Sequence, residues 1–153
     1  MSSDALRAIL TDVGIELQPG SPAFLSWLGT IGVPPELADL FRECVPRGQK
    51  RNFVRWQYLY SEEEIQSECE KQPRYMKAGL LAIGYCNNGD PIAVDVRKQV
   101  GSVGYISHDA VWEDEEARVR RFFIFIAPSL IEFARLARDG QLPIDYWEAK
   151  RKK

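Results

Sequence analysis

Residues 79–97 read GLLAIGYCNNGDPIAVDVR and place Asn88-Gly89 between two apolar segments. Asn-Gly is the strongest short-range signal for a β-hairpin, because a type I′ turn needs a positive φ at both central residues. With Asn88 and Gly89 at these positions, the predicted register pairs Asn87 with Asp90, Tyr85 with Ile92, Ile83 with Val94, and Leu81 with Val96. This register puts every large apolar residue of both strands on one face, and a slip by one residue would destroy the match.

The opposite face of the predicted hairpin carries small residues. It receives Ala82, Gly84 and Ala93, with Asp95 among them and Cys86 near the turn. Small side chains leave room for a close neighbour. We therefore expect a helix of the same chain to pack on this face, the alternative being a shallow groove for a ligand.

The rest of the chain alternates between helical and extended patterns. Helices are predicted over 3–13, 22–28, 35–44, 62–71 and 130–139, from apolar residues at helical spacing, from capping serines or from a leading proline; the helix over 62–71 rests on its capping box and has few apolar positions. Strands are predicted over 53–60, 79–86, 91–97, 103–108 and 121–126. This order indicates an α+β fold, with a mainly antiparallel sheet of about five strands flanked by helices of the N-terminal region and a C-terminal helix. One domain is predicted over residues 1–149, followed by a basic tail over 150–153.

Composition and charge are those of an ordinary globular protein. The 153 residues are 45% hydrophobic and 27% charged, with a formal net charge of −2. This balance argues against a generally cationic nucleic-acid binder, and no apolar run approaches the roughly 18 residues of a membrane helix. The N-terminus shows neither the basic region nor the apolar stretch of a signal peptide. We therefore expect a soluble cytoplasmic protein without membrane association.

The three cysteines, Cys44, Cys69 and Cys86, lie far apart and form no CxxC pair. Their number and spacing indicate neither a disulfide scaffold nor a zinc site. Cys86 together with His108 and Asp95 would supply the nucleophile, the base and the orienting acid of a thiol enzyme. Inert packing is the commoner role of a cysteine, and we expect it for Cys86.

Two other kinds of site find less support in the sequence. Asp90, Asp95, His108 and Asp109 offer metal ligands, but their spacing matches no EF-hand or zinc motif. Basic and aromatic residues are interleaved over 47–56, a composition that can bind single-stranded nucleic acid. A sheet strand explains the alternation more simply. No metal, no cofactor and no nucleic-acid partner is therefore predicted.

Residues 79–109, GLLAIGYCNNGDPIAVDVRKQVGSVGYISHD, resemble the central segment of the SUKH superfamily of the Smi/Knr type. The shared pattern has an apolar strand, a Gly-Asp turn, a strand ending in Asp, and a Gly-rich connection into a strand that often ends in His. Its positions here are Gly89, Asp90, Asp95, Gly101 and His108. Residues 33–44 (VPPELADLFREC) are similar to the family's early proline-led helix, and residues 126–137 (IAPSLIEFARLA), with Ser129 and Phe133, to its closing helix.

The resemblance implies a single α+β domain without enzymatic activity. Many bacterial members of the superfamily are immunity proteins that neutralise secreted toxins, often nucleases or nucleic-acid deaminases, and fungal relatives are regulatory interaction proteins. Their partner-binding surface varies, and their shared residues look largely structural. One departure is that residues 45–48 read VPRG where the family usually has an Asn-Gly-Gly stretch.

A candidate partner-binding surface consists of Trp112 and the four acids that follow it, Glu113, Asp114, Glu115 and Glu116. An aromatic anchor beside acids suits a cationic protein partner such as a nuclease toxin. The alternative is a solvated loop with Trp112 tucked into the sheet edge. We expect a non-enzymatic protein-binding module that acts as an immunity protein against a toxin. A small thiol-dependent enzyme using Cys86 and His108, and a regulatory interaction domain unrelated to toxins, are the alternatives.

Overall fold

A five-stranded sheet organises the chain, whose computed structural model describes residues 3–48 and 57–153. The N-terminal elements are α1 (Ser3–Asp12), β1 (Leu17–Gln18), α2 (Pro22–Thr30), α3 (Pro35–Glu43) and β2 (Val45–Pro46). Next come β3 (Tyr58–Leu59), α4 (Glu62–Lys71), α5 (Pro73–Lys77), β4 (Leu80–Tyr85), β5 (Pro91–Asp95) and β6 (Val103–Ile106). A 3-10 helix (His108–Trp112), α6 (Glu116–Arg121), β7 (Phe123–Ala127), α7 (Leu130–Arg138) and α8 (Tyr146–Arg151) complete the chain.

The sheet has the order β3-β4-β5-β6-β7, and every pair of neighbouring strands is antiparallel. The short strands β1 and β2 form a separate antiparallel pair. Helices flank the five-stranded sheet, so the predicted α+β fold is confirmed. Of the strand predicted over 53–60, the structure shows the pairing of Tyr58–Leu59, and residues 53–56 lie outside the described residues.

Local capping signals account for the predicted helices. The hydroxyls of Ser21 and Ser129 each accept a backbone N–H three residues further on, at 3.1 Å in both cases. Ser61 and Glu64 form a complete capping box at the start of α4. These bonds satisfy N–H groups that have no partner within the first turn of a helix. No helix among the described residues is long and apolar enough to cross a membrane.

Several short elements escape the sequence patterns. Pro73 follows the end of α4 and lies at the first position of α5, where its missing N–H costs nothing. The 3-10 helix and α6 fill the segment between β6 and β7. Lys150 and Arg151, expected in a basic tail, form the last residues of α8.

The predicted register of the central hairpin is wrong. Tyr85 pairs with Pro91 and Gly84 with Ile92, one position away from the prediction. The cause lies in the turn, where Cys86 N donates to Asp90 O at 2.7 Å and Gly89 N donates to Cys86 O at 2.8 Å. These bonds close a loop of three residues, 87–89, instead of the two that a type I′ turn would leave, and Gly89 with its φ of 95° ends it.

The slip moves residues near the turn to the opposite face of the sheet, as the two-residue repeat of a strand requires. Tyr85, expected in the apolar face, is 38% exposed, and Cys86, expected on the small face, is buried in the main core. A bulge between Ala82 and Gly84 then shifts the register again. Leu81 consequently lies opposite Val94 and keeps its predicted place in the main core.

Both faces of the sheet are covered. The main core lies between one face and helices α1, α2, α3, α4, α7 and α8, while Leu80, Ala93 and Ile106 of the other face pack with residues of α5 and α6. Helices of the same chain therefore pack on Ala93, as expected for the small face, whereas Cys86 of that predicted face lies in the main core. Asp95 also lies at this second face, where it is only 2% exposed.

Candidate functional site

Trp112 ends the 3-10 helix and projects into solvent. Its side chain is 83% exposed, the highest exposure of any large hydrophobic residue in the described part of the chain. The alternative in which Trp112 is tucked into the sheet edge is therefore wrong. The helix itself is well held, since the Ser107 hydroxyl caps its first turn by accepting from Asp109 N at 3.3 Å and Ala110 is fully buried.

Asp90 anchors the beginning of this 3-10 helix. Its carboxylate is fully buried; it accepts from the backbone N–H of His108 at 2.9 Å and lies 2.7 Å from His108 Nδ1. Its second oxygen accepts from Tyr146 N at 3.0 Å and from the Asn88 side-chain amide at 2.9 Å. One carboxylate thus ties the hairpin turn, the 3-10 helix and the start of α8 together.

The four acids after Trp112 lie close to arginines of the same chain. The nitrogen–oxygen distances are 3.7 Å for Asp114 with Arg74, 3.6 Å for Glu116 with Arg97, and 3.8 Å and 3.7 Å for Glu113 and Glu115 with Arg118. Exposed pairs of this kind contribute little to stability, but they cancel much of the local negative charge. The surface around Trp112 is therefore of mixed charge.

Asp95, the second acid of the hairpin segment, is held by hydrogen bonds within the chain. Arg120 contacts both carboxylate oxygens at 2.8 Å and 3.0 Å, and the backbone N–H groups of Arg97, Lys98 and Gln99 donate to the same carboxylate. Burial alone would raise the pKa of Asp95, but the hydrogen bonds from Arg120 and the three amides outweigh it and hold the pKa well below its usual range. Asp95 is consequently an ion-pair partner of Arg120.

The proposed thiol constellation is not assembled. The structure joins His108 to Asp90 and Asp95 to Arg120, so neither residue is engaged with Cys86. Cys86 is fully buried, and burial, with the nearby charges of Asp90 and Asp145, raises the pKa of its thiol far above the ordinary value. A neutral, buried thiol is a poor nucleophile. Within the described ranges, no group of three or more histidine, cysteine or acidic residues could hold a metal ion.

We expect Cys86 to resist a thiol-specific alkylating reagent in the folded protein at neutral pH, because its thiol is inaccessible and protonated. Cys69, which is partly exposed, should react first. Mass spectrometry of tryptic peptides after timed alkylation measures both rates, and the same experiment in urea gives the reactivity of the unfolded chain. Rapid alkylation of Cys86 in the native state would contradict this and would revive the thiol-enzyme alternative.

A second surface was not identified from the sequence. Tyr58, Tyr60 and Tyr85 form a cluster of rings beside α4, with ring centroids 5.3 Å apart for Tyr58 and Tyr85 and 5.7 Å apart for Tyr60 and Tyr85. The alternation of Tyr58 and Tyr60 could have pointed to it, but the third ring, that of Tyr85, is brought there only by the pairing of β3 with β4.

A scan of the chain against protein-family models and searches among curated proteins and solved structures found no match.

Proposed function

We propose that this chain is a non-enzymatic protein-binding module that contacts its partner through Trp112, and that it serves as an immunity protein against a toxin, as the SUKH resemblance implies. The observation that supports the binding role is the 83% exposure of Trp112 on a helix anchored by a buried carboxylate. A tryptophan has only two side-chain torsions to order on binding and brings a large apolar area, and tryptophan is enriched among binding hot spots.

The charged residues around Trp112 suit the rim of such an interface. Glu113, Asp114, Glu115 and Glu116 pair with arginines whose side chains range from a quarter to a half exposed. Because these exposed pairs are weak, a partner can exchange them for intermolecular ones at small cost. The acids would then face the basic groups of a nuclease, and the arginines would face acidic groups of the same partner. Mixed charge of this kind favours specificity over non-specific attraction.

The test is co-expression with a toxin domain encoded next to the gene for this chain. The intact chain should restore growth of cells that produce the toxin, and a Trp112→Ala variant should weaken binding of the purified toxin by about 30-fold, the equivalent of a hot-spot loss of roughly 2 kcal/mol. Titration calorimetry measures the affinity. The free energy of unfolding should stay within about 0.5 kcal/mol of the unmodified protein, as for other surface substitutions.

A matched control is Trp147→Ala, which removes another exposed tryptophan, 43% accessible, from α8. This variant should bind the toxin with unchanged affinity. Wild-type affinity in Trp112→Ala, or an equal loss in both variants, would contradict the assignment of the binding surface. An adjacent gene product that neither binds nor harms cells would contradict the immunity role.

A further inference from the structure

Strand β7 is the last strand of the five-stranded sheet, next to β6. Residues that face each other in an antiparallel pair alternate between hydrogen-bonded and non-hydrogen-bonded positions. Ser107 N donates to Phe122 O at 2.8 Å, so these two residues occupy a hydrogen-bonded position just before the strand. Phe123 and, two residues later, Phe125 consequently occupy non-hydrogen-bonded positions opposite β6. The backbone N–H and C=O groups of both phenylalanines therefore point away from the sheet.

The outer side of β7 is open to solvent. No backbone hydrogen bond within residues 3–48 and 57–153 engages the outward groups of Phe123 or Phe125. The side chains of residues 123–126 are all partly exposed, although they alternate between the two covered faces of the sheet, whereas every residue of β5 and β6 is buried. The exposure of β7 therefore comes from its edge, where a further strand could pair.

Basic side chains lie beside this edge. Arg121, which directly precedes β7, is exposed, and Lys153 Nζ lies 5.4 Å from the centre of the Phe125 ring. Lys150 and Arg151 are exposed at the end of α8, the helix that packs on β7. The open strand is thus bordered by positive charge.

No carboxylate of the chain neutralises these four bases by an ion pair in the part that the structure describes. The remaining residues, 1–2 and 49–56, contain no aspartate or glutamate, so their side chains supply no carboxylate either. Glu148, on α8 itself, is bonded to Lys152. The positive charge beside β7 is therefore available to an acidic partner.

We propose that β7 binds an extended, acidic segment of a protein partner, which adds a sixth strand to the sheet. Backbone hydrogen bonds to the outward groups of Phe123 and Phe125 hold the segment, as in other cases of strand addition. Its carboxylates pair with Arg121 and Lys153. The surface contains none of the residues assigned to the Trp112 interface, and the proposal goes beyond the function assigned there.

Two other occupants fit the edge less well. A second copy of the chain would bring like charges together, and charged residues beside an edge strand disfavour such self-pairing. A nucleic acid would use the bases, but its phosphates would leave the outward C=O groups of Phe123 and Phe125 without donors. An acidic strand satisfies both the charges and the backbone groups.

The test titrates the whole chain at low salt with the acetylated and amidated peptide Glu-Val-Glu-Val-Glu-Val. The peptide should bind, and the amides of Phe123 and Phe125 should become protected against hydrogen exchange, because they then donate to it. The same peptide methylated at every backbone nitrogen should bind at least about tenfold more weakly, since it has no N–H to donate to the strand. The counterpart in which lysine replaces glutamate should not bind. Nuclear magnetic resonance measures both the affinities and the exchange.

A double variant, Arg121→Gln with Lys153→Gln, should lower the affinity for the acidic peptide about fivefold, as expected for the loss of two exposed ionic contacts. The matched control is Lys71→Gln with Lys77→Gln, which removes the same charge from exposed positions of α4 and α5. This control should bind the peptide as the unmodified protein does. Circular dichroism shows that both variants stay folded.

Equal losses in the two double variants would overturn the proposal in favour of diffuse attraction to a cationic surface. Full affinity of the methylated peptide would exclude strand addition, and absence of binding by the acidic peptide would refute the proposal outright. Self-association that protects the amides of Phe123 and Phe125 would make the occupant a second copy, and tighter binding of oligothymidylate would assign the surface to nucleic acid. Trp112→Ala should leave peptide binding unchanged, so a failure of the Trp112 interface is distinguishable from a failure here.

Discussion

Replacing Asp95 by alanine should destabilise the protein by about 3–5 kcal/mol, the usual cost of breaking a buried ion pair from one side. The side chain of Asp95 is 2% exposed and that of Arg120 only 15%, so the guanidinium would lose its partner in a place that water hardly reaches. Three backbone N–H groups, those of Arg97, Lys98 and Gln99, would lose their acceptor at the same time. Urea unfolding followed by circular dichroism measures the loss.

Asp114→Ala is the matched control, because Asp114 also lies near an arginine but is 95% exposed. Its free energy of unfolding should change by no more than about 0.5 kcal/mol. A loss of similar size in both variants would contradict the structural role of Asp95.

The contribution of Asp95 to stability should also depend on pH in a defined direction.

Because the pKa of Asp95 is lower in the folded than in the unfolded chain, its contribution is complete above the unfolded value of about 4 and is lost as the pH falls towards the folded value. The stability difference between the unmodified protein and Asp95→Ala should therefore shrink as the pH is lowered from about 5 to 2.

Asp90→Ala should lower the free energy of unfolding by about 3 kcal/mol, since the donors of His108, Tyr146 and Asn88 lose a fully buried carboxylate acceptor, and a hydrogen bond to a charged group contributes roughly 1.5–3 kcal/mol. Amide hydrogen exchange should show which backbone N–H groups lose protection in this variant. The N–H groups of His108 and Tyr146, which both donate to this carboxylate, should lose protection, while those in α7 should keep it. The neighbouring acid Asp109, whose side chain is 53% exposed, provides the control variant. Protection that persists at His108 and Tyr146 would contradict the anchoring role of Asp90.

Much of the fold was predictable because its signals are local. Ser21, Ser61 and Ser129 cap their helices through side-chain bonds that span three residues, and such bonds leave a clear mark in the sequence. The hairpin register was not predictable from the Asn-Gly rule, because the loop closes with three residues and β4 contains a bulge. Asp90, at the end of the loop, accepts hydrogen bonds from Tyr146 and His108, which come from distant parts of the chain and leave no local pattern in the sequence.

The candidate surfaces were predictable to different degrees. The acids after Trp112 are consecutive and therefore visible in the sequence, but their partners Arg74, Arg97 and Arg118 come from separate elements. The cluster of Tyr58, Tyr60 and Tyr85 depends on the cross-strand pairing of Tyr58 with Tyr85, which joins β3 to β4. Surfaces assembled by the tertiary structure carry no local periodicity for sequence analysis to detect.

The residues that pack against the sheet are distinct from the exposed aromatic residues of the surface. Both of its faces are occupied by helices of the same chain, and Trp112 and Tyr85 lie outside the two hydrophobic cores. Surface substitutions usually change stability by less than about 0.5 kcal/mol. The exposed aromatic residues can therefore be replaced one at a time without disturbing the packing of the interior that keeps the chain folded.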